Sequence, residues 1–431
     1  MPPAAPRRPR LLEAALTYGA SNVLQRAIPF LLLPILTRYL SREDYGRLAV
    51  YSSLVAVAIP LVGLNSSYVL RRRFFDTSAE ELSRHLGACL RILALGVGGG
   101  LAVVALASGL AASLLASVSG LSPAWWAAAV VQAGGLAWIQ LPLTLWQVEH
   151  RPRLYAIAQV GRAAGLSLLT LVAVVALGMG YAGALAAMLV TTLLAGAAVG
   201  GPGLRGRLGA PPAGGEMGSA ARFGAGLLPH ALGALAVTNA DRFFVTHYAG
   251  AAETGVYWVG YQFGLIVSIA ADAFNRAFTP WLFDRLQTGS EADRREVVRR
   301  GWLYVLGIVS LATALSLLAP VVMDLLLPES YHAAARYVPW VAAGFGAQAL
   351  YALAASFVFY EERAGVISAV TTAVMLCNLG LNALLVPEQG ALGAARATVA
   401  SFALGAALTW WAAVRIHPMP WLRAWRRAPE P

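Results

Sequence analysis

The sequence predicts an all-α polytopic membrane protein of about twelve transmembrane helices, arranged as two parallel repeats of six. Three observations predict it. Apolar residues make up 58% of the 431 positions and charged residues only 12%, where a soluble domain carries about 25% charged residues. The apolar residues gather into runs of roughly the 20 residues that a bilayer crossing requires. The basic residues, all 32 of them arginine, fall mostly on one side of those runs.

The first span is expected at 14–38. The segment before it, Met1 to Arg10, is rich in Pro and Arg. The apolar stretch behind that segment has no small-residue cleavage site and runs too long for a signal peptide, so it is expected to stay as a span. Charge, Gly and Pro clusters then delimit spans at 46–70, 85–115, 123–147, 154–177 and 181–203. The 205–218 segment, with Pro211, Pro212 and Gly214-Gly215, reads as a cytoplasmic linker. It divides a 1–204 lobe from a 219–415 lobe, whose spans are expected at 219–247, 254–281, 299–327, 334–360, 364–386 and 391–415. A cytoplasmic tail follows at 416–431.

With the N terminus inside, 21 arginines fall in cytoplasmic segments, including Arg71-Arg72-Arg73 and Arg294-Arg295, whereas the opposite loops hold Arg38, Arg42, Arg47 and Arg336. Such asymmetry over short loops orients a chain during insertion. The net charge of +11 is therefore a topology signal and implies no nucleic-acid partner. Cys89 and Cys377 both lie in apolar stretches, which leaves neither a disulfide framework nor a Cys-rich metal site.

The two sets of six spans look like copies. Thr37-Arg38-Tyr39 with Asp44-Tyr45-Gly46 matches Thr246-His247-Tyr248 with Glu253-Thr254-Gly255 at a shift of 209 residues. Gly180, Gly183, Ala184 and Ala187 match Gly390, Gly393, Ala394 and Ala397 at a shift of 210, and Phe75-Asp76 matches Phe283-Asp284 at 208. Because each copy holds an even number of spans, the copies share one orientation and are related by an axis along the membrane normal.

Charge inside a span costs about 2.5–3.5 kcal/mol on insertion scales, so such residues commonly face a cavity or a partner. Seven arginines lie within spans. Arg26 sits at the centre of the first, one turn from Asn22 on the same face, with Pro29 and Pro34 interrupting the backbone ladder behind it. A fixed positive charge there suits an anionic head group; the alternative is an Arg bonded to carbonyls freed by the prolines. His230 stands at a similar depth in the second half and reads either as a packed neutral imidazole or as a proton-sensing group. Asp272 and Arg276, four residues apart, could neutralise one another or take part in a site. Asp241 and Arg242 point about 100° apart on a helix and are expected to need separate partners. Arg162 and Arg396, about two turns inside either face, are candidates to line a cavity. Arg91 and Arg222 read as snorkelling, and Glu149-His150 as an ordinary helix end or, alternatively, an ion-coupling pair.

Nucleotide-binding, redox and hydrolase motifs are absent, namely Walker A, Cys-x-x-Cys, His-Glu-x-x-His and Gly-x-Ser-x-Gly. No cofactor is expected. The outer loops, only about ten residues long, leave little room for the extramembrane acids and bases of an enzyme acting on lipid-linked sugars.

Several stretches resemble the bacterial oligosaccharide flippases of the polysaccharide transporter family. Pro34-Ile35-Leu36-Thr37-Arg38-Tyr39-Leu40, Asp44-Tyr45-Gly46 and Arg72-Arg73-Phe74-Phe75-Asp76 are similar to the family's first two spans. Asp241-Arg242-Phe243-Phe244 with Gly255-Val256-Tyr257 is similar to its seventh and eighth, and Asn378 to Asn382 with Pro387, Gly390 and Gly393-Ala394-Ala395 to its last two. The resemblance implies membership of the multidrug/oligosaccharidyl-lipid/polysaccharide exporter superfamily, with two six-helix lobes around a central cavity. It implies a polyprenyl-pyrophosphate-linked oligosaccharide substrate, carried from the inner to the outer leaflet of a bacterial plasma membrane for polysaccharide assembly. Membrane lipids and other polysaccharide-assembly proteins would be its partners. Under this resemblance Arg26, Asn22, Arg162, Arg276 and Arg396 are the candidates to hold the pyrophosphate, and His230, Asp241 and Asp272 those for ion coupling. A cation-coupled multidrug exporter, or a membrane enzyme of polysaccharide assembly, is the alternative.

Overall fold

The computed structural model describes residues 11–207 and 214–421. Arg7, Arg8, Arg10, Arg423, Arg426 and Arg427 of the orientation argument, and Pro211 and Pro212 of the linker, lie outside the described residues. Every regular element among those described is helical. In chain order they are α1 (Leu11–Leu31), α2 (Leu33–Tyr39), α3 (Arg42–Gly63), α4 (Ser66–Arg73), α5 (Ala79–Ser119), α6 (Pro123–Val148), α7 (Pro152–Leu171), α8 (Gly180–Ala195), α9 (Gly201–Leu204), α10 (Gly214–Thr288), α11 (Glu291–Leu326), α12 (Val338–Tyr360), α13 (Ala364–Gln389) and α14 (Ala391–Ile416).

Helix starts follow local chemistry. Ser41 accepts from the Asp44 backbone N–H, and the Asp44 carboxylate accepts from the Ser41 N–H in return. Ser78 and Glu81 repeat this box at the head of α5. Each box satisfies two donors that the first turn leaves open. Ser290 caps α11 through Asp293. There the hydroxyls of Ser290 and Thr288, and then Arg285, pull the Asp293 carboxyl down to about 2.

Eleven described helices are long and apolar enough to cross a membrane. One of them, α10, has 75 residues, about 110 Å of helix at 1.5 Å per residue, against a hydrocarbon core of about 30 Å. It is broken at Gly250, where φ is +86° and ψ 164°. That conformation is open to glycine and strained for other residues. Divided there, α10 supplies two crossings, and the total becomes twelve.

The lipid-facing surfaces are legible from exposure. On α5, Val103, Leu106, Leu110 and Leu114 form one stripe, with Leu106 67% and Leu110 80% exposed. On α11, Leu317, Val321 and Leu325 do the same. Such contiguous apolar surface is stable against hydrocarbon and would be a liability in water.

The chain forms two compact units. The first runs to Leu235 and takes in Gly250–Gly255, and the second comprises Ala236–Ala249 and Val256 onward. In the first, the buried Tyr51 hydroxyl donates to Gln132 at 2.7 Å, tying α3 to α6. Glycines at the repeated motif let backbones touch: a Cβ on Gly46 would stand 1.8 Å from the Ala251 carbonyl oxygen, and one on Gly255 would stand 1.9 Å from that of Arg42. The two contacts are reciprocal, since Arg42 and Gly46 correspond to Ala251 and Gly255 in the repeat. Close approach through small residues is how membrane helices pack where no hydrophobic drive exists between them.

In the second unit α14 presents a seam of small residues, Gly393, Ala394, Ala397 and Ser401, all buried. On α13 the buried Asn382 amide donates to the Asn378 carbonyl at 2.9 Å and to its side-chain oxygen at 3.1 Å. This one-turn clasp leaves the buried Asn378 amide nitrogen and Asn382 side-chain oxygen without a hydrogen bond to any described residue.

Candidate functional site

The polar residues of the first span are arranged by the packing of α1 on α7. Tyr18 and Tyr155 meet edge-to-face with centroids 5.2 Å apart. The Tyr155 hydroxyl donates to the Asn22 side-chain oxygen at 3.2 Å and accepts from Gln159 at 3.4 Å. Further along, α2 touches the π-helical turn Val172–Ala176 that ends α7. The two spans therefore run side by side in the same direction and in constant register. Continued one turn beyond Asn22 and Gln159, that register brings Arg26 and Arg162 to one level on neighbouring helices, about 6 Å further into the membrane.

Arg26 is exposed and Arg162 half-buried. Arg162 has no hydrogen bond or ion pair with a described residue. Tyr18, Asn22 and Arg26 lie on one helical face, as do Tyr155, Gln159 and Arg162. The sequence pointed to Asn22, Arg26 and Arg162. It missed Tyr18, Tyr155 and Gln159, whose spacing on two facing stripes was the available signal. This arrangement offers cationic and neutral donors with no carboxylate among these six residues, which suits an anion.

In the second unit the surroundings of Asp241 and Arg242 differ from the sequence expectation. The two do not take separate partners: Arg242 Nη1 lies 3.2 Å from Asp241 Oδ1. The Arg242 backbone N–H donates to the same oxygen at 2.9 Å. Cβ vectors 100° apart do not prevent this, because the long guanidinium stem folds back on its neighbour. Each group then gains further contacts. Tyr257 donates to Asp241 Oδ2 at 2.6 Å. The Arg242 guanidinium lies over Trp258 at 4.1 Å and Tyr261 at 4.3 Å, and donates to the Thr238 carbonyl. Asp241 is 0% and Arg242 1% exposed.

The other candidates are dispersed. Arg396, in the second turn of α14, donates to Gln389 at 2.8 Å and lies over Trp340 at 5.1 Å. Arg276 is exposed, three turns from the far end of α10. Asp272 is half-buried near Tyr304. Arg276 and Arg396 are thus placed near opposite ends of their spans. His230 is exposed on the part of α10 that belongs to the first unit. Glu149 closes α6 and pairs with Arg207 and, at 3.2 Å, with Arg151.

Known proteins agree with this architecture. An inward-facing multidrug resistance MATE family transporter of the MOP superfamily superposes with a TM-score of 0.71, at 14% identity over 91% of this chain and 94% of that one. The lipid II flippase MurJ, in an inward closed conformation, gives 0.74 at 11% identity, over 95% of this chain and 90% of that one. At these identities the likeness is one of fold. An uncharacterized membrane protein of Haemophilus influenzae is 33% identical over 88 residues, 20% of this chain. The chain thus aligns with about a fifth, 21%, of that curated relative. The family model for polysaccharide biosynthesis proteins matches residues 11–286. That match runs through the polar ladder of α1 and α7 and the Asp241 cluster, and by it this chain belongs to the polysaccharide biosynthesis protein family.

Proposed function

We propose that the protein is a flippase that carries a polyprenyl-pyrophosphate-linked oligosaccharide from the inner to the outer leaflet of a bacterial plasma membrane, for cell-surface polysaccharide assembly. The observation that carries this reading is the common level of Arg26 and Arg162 beneath the Tyr18–Asn22–Tyr155 ladder. Two guanidiniums on adjacent helices at mid-membrane suit a pyrophosphate, because Arg presents planar forks of donors to phosphate oxygens. The neutral donors around them suit sugar hydroxyls. In this reading the 1–204 and 219–415 lobes rock about the repeat axis, joined by the 205–218 linker, with both termini cytoplasmic. The sugar head crosses along polar groups while the polyprenyl tail stays in lipid. Arg276 and Arg396 hold the head less directly, at either end of its path. No bond is made or broken, so the protein acts as a transporter and not as an enzyme.

The pairing of Asp241 with Arg242 and Tyr257 speaks against the cation-exporter alternative, since that carboxylate is already occupied. The test is transport of a fluorescent polyprenyl-pyrophosphate oligosaccharide in proteoliposomes. Arg26→Ala is expected to abolish transport with membrane insertion unchanged, and Arg162→Ala to reduce it. Normal transport by Arg26→Ala would remove the carrying observation, and chemical change of the lipid-linked sugar would favour an enzyme.

A further inference from the structure

The second span is not one helix. α3 ends at Gly63, Leu64 and Asn65 both take left-handed backbone angles with φ of +44° and +50°, and α4 begins at Ser66. Close backbone approach secures the break. Cβ atoms on Gly96 and Gly224 would stand 2.1 Å from the Val62 carbonyl oxygen and 1.7 Å from that of Leu64. Broken membrane helices place free backbone groups at ligand sites in many transporters.

A cavity of about 320 Å³ opens at this break. Its polar lining comes from Asn65, Ser67 and Arg71 on one side and Gln140 and Thr144 of α6 on the other, with Ile59 and Pro60 as the apolar wall. Ser67 and Arg71 share a helix face, and an Arg side chain leans back toward its helix start. The Arg71 guanidinium is steadied by donating to Gln147 at 2.9 Å, which leaves further N–H groups for a ligand. Gln140 donates weakly to Thr144 at 3.4 Å. The lining holds one cation and no carboxylate.

From this geometry we propose that the break in the second span is a binding subsite for an acidic sugar. The carboxylate sits on Arg71, and the ring hydroxyls meet Ser67, Gln140 and Thr144. One guanidinium among neutral donors matches a single planar charge on a hydroxyl-bearing ring, and the volume lies at the small end of ligand pockets, about 300–1,000 Å³. As a statement about cargo, the proposal rests on the flippase reading.

The test is calorimetric titration of the purified full chain with sodium glucuronate, glucose and inorganic phosphate at equal ionic strength. Glucuronate is expected to bind about tenfold or more tighter than glucose. Arg71→Gln removes the charge at an exposed position, so it should weaken glucuronate about tenfold with the thermal midpoint unchanged. Arg71→Glu, which puts a carboxylate against the ligand, should weaken it more. Wild-type glucuronate affinity in either variant, or equal binding of glucose, overturns the proposal. Tighter binding of phosphate than glucuronate also overturns it, by assigning the pocket to a phosphate group. Glucuronate binding that depends on Arg71, in a wild-type protein that transports no lipid-linked sugar, leaves the subsite standing and sinks the flippase. Transport without such binding does the reverse.

Discussion

Removing the Asp241 carboxylate tests whether its cluster is an anchor of the second unit. In Asp241→Ala, Arg242 stays at 1% exposure against Trp258 and Tyr261 but loses its counter-ion, and the Tyr257 hydroxyl loses the acceptor it holds at 2.6 Å. Breaking a buried pair from one side costs about 3–5 kcal/mol, because the surviving charge is uncompensated. The lost Tyr257 bond adds to the same term and is not independent of it. Replacing both groups, as Asp241→Leu with Arg242→Met, removes the buried charge altogether and should recover most of the loss. Denaturant unfolding in detergent, followed by tryptophan fluorescence, measures both variants, and Trp258 reports from inside the cluster. The expected order is wild type, then the double variant, then Asp241→Ala well below. If Asp241→Ala unfolds with the wild-type midpoint while transport fails, Asp241 serves coupling and the anchoring argument is refuted. A double variant as unstable as the single one would refute the charge-burial step.

The reciprocal backbone contacts at Gly46 and Gly255 make those glycines intolerant. Gly46→Val and Gly255→Val, whose new Cβ atoms meet carbonyl oxygens at 1.8 and 1.9 Å, should each lower the thermal midpoint and the folded yield sharply. Gly99→Ala, with nothing within 4 Å of its Cβ, should stabilise by up to about 1 kcal/mol. Leu106 on the lipid face of α5 should resist charge, so Leu106→Arg is expected to cost about 2.5–3.5 kcal/mol in a membrane-insertion assay, and Leu106→Ala far less. The Asp293 carboxyl is depressed to about 2 in the folded chain, against about 3.9 unfolded. Its contribution is therefore present above about pH 4 and lost as pH falls toward 2. Hydrogen exchange at the head of α11 should be faster in Asp293→Asn than in wild type at neutral pH, with the gap closing in acid.

Hydropathy and charge are local properties, and what depends on them was legible in the sequence. The apolar runs became the spans. The shift of about 209 residues marked the glycines that later proved to touch. Asn22, Arg26 and Arg162 stood out because charge or amide in an apolar run is costly wherever the chain places it. Their common ladder did not, because the register of α1 on α7 is decided by contacts between residues more than a hundred positions apart, such as Tyr18 with Tyr155. Asp241 and Arg242 show the same limit at short range: helical geometry alone separated them, and a folded-back side chain among aromatic neighbours brought them together. Likewise the apolar run through Gly63, Leu64 and Asn65 reads as one span. It breaks because Gly96 and Gly224 let their backbones reach the carbonyls of Val62 and Leu64. The sequence by itself determined which segments enter the membrane, since transfer from water depends on the composition of each segment. The tertiary structure decided which polar groups meet inside, since in hydrocarbon a donor is satisfied only by whichever distant residue the packing delivers.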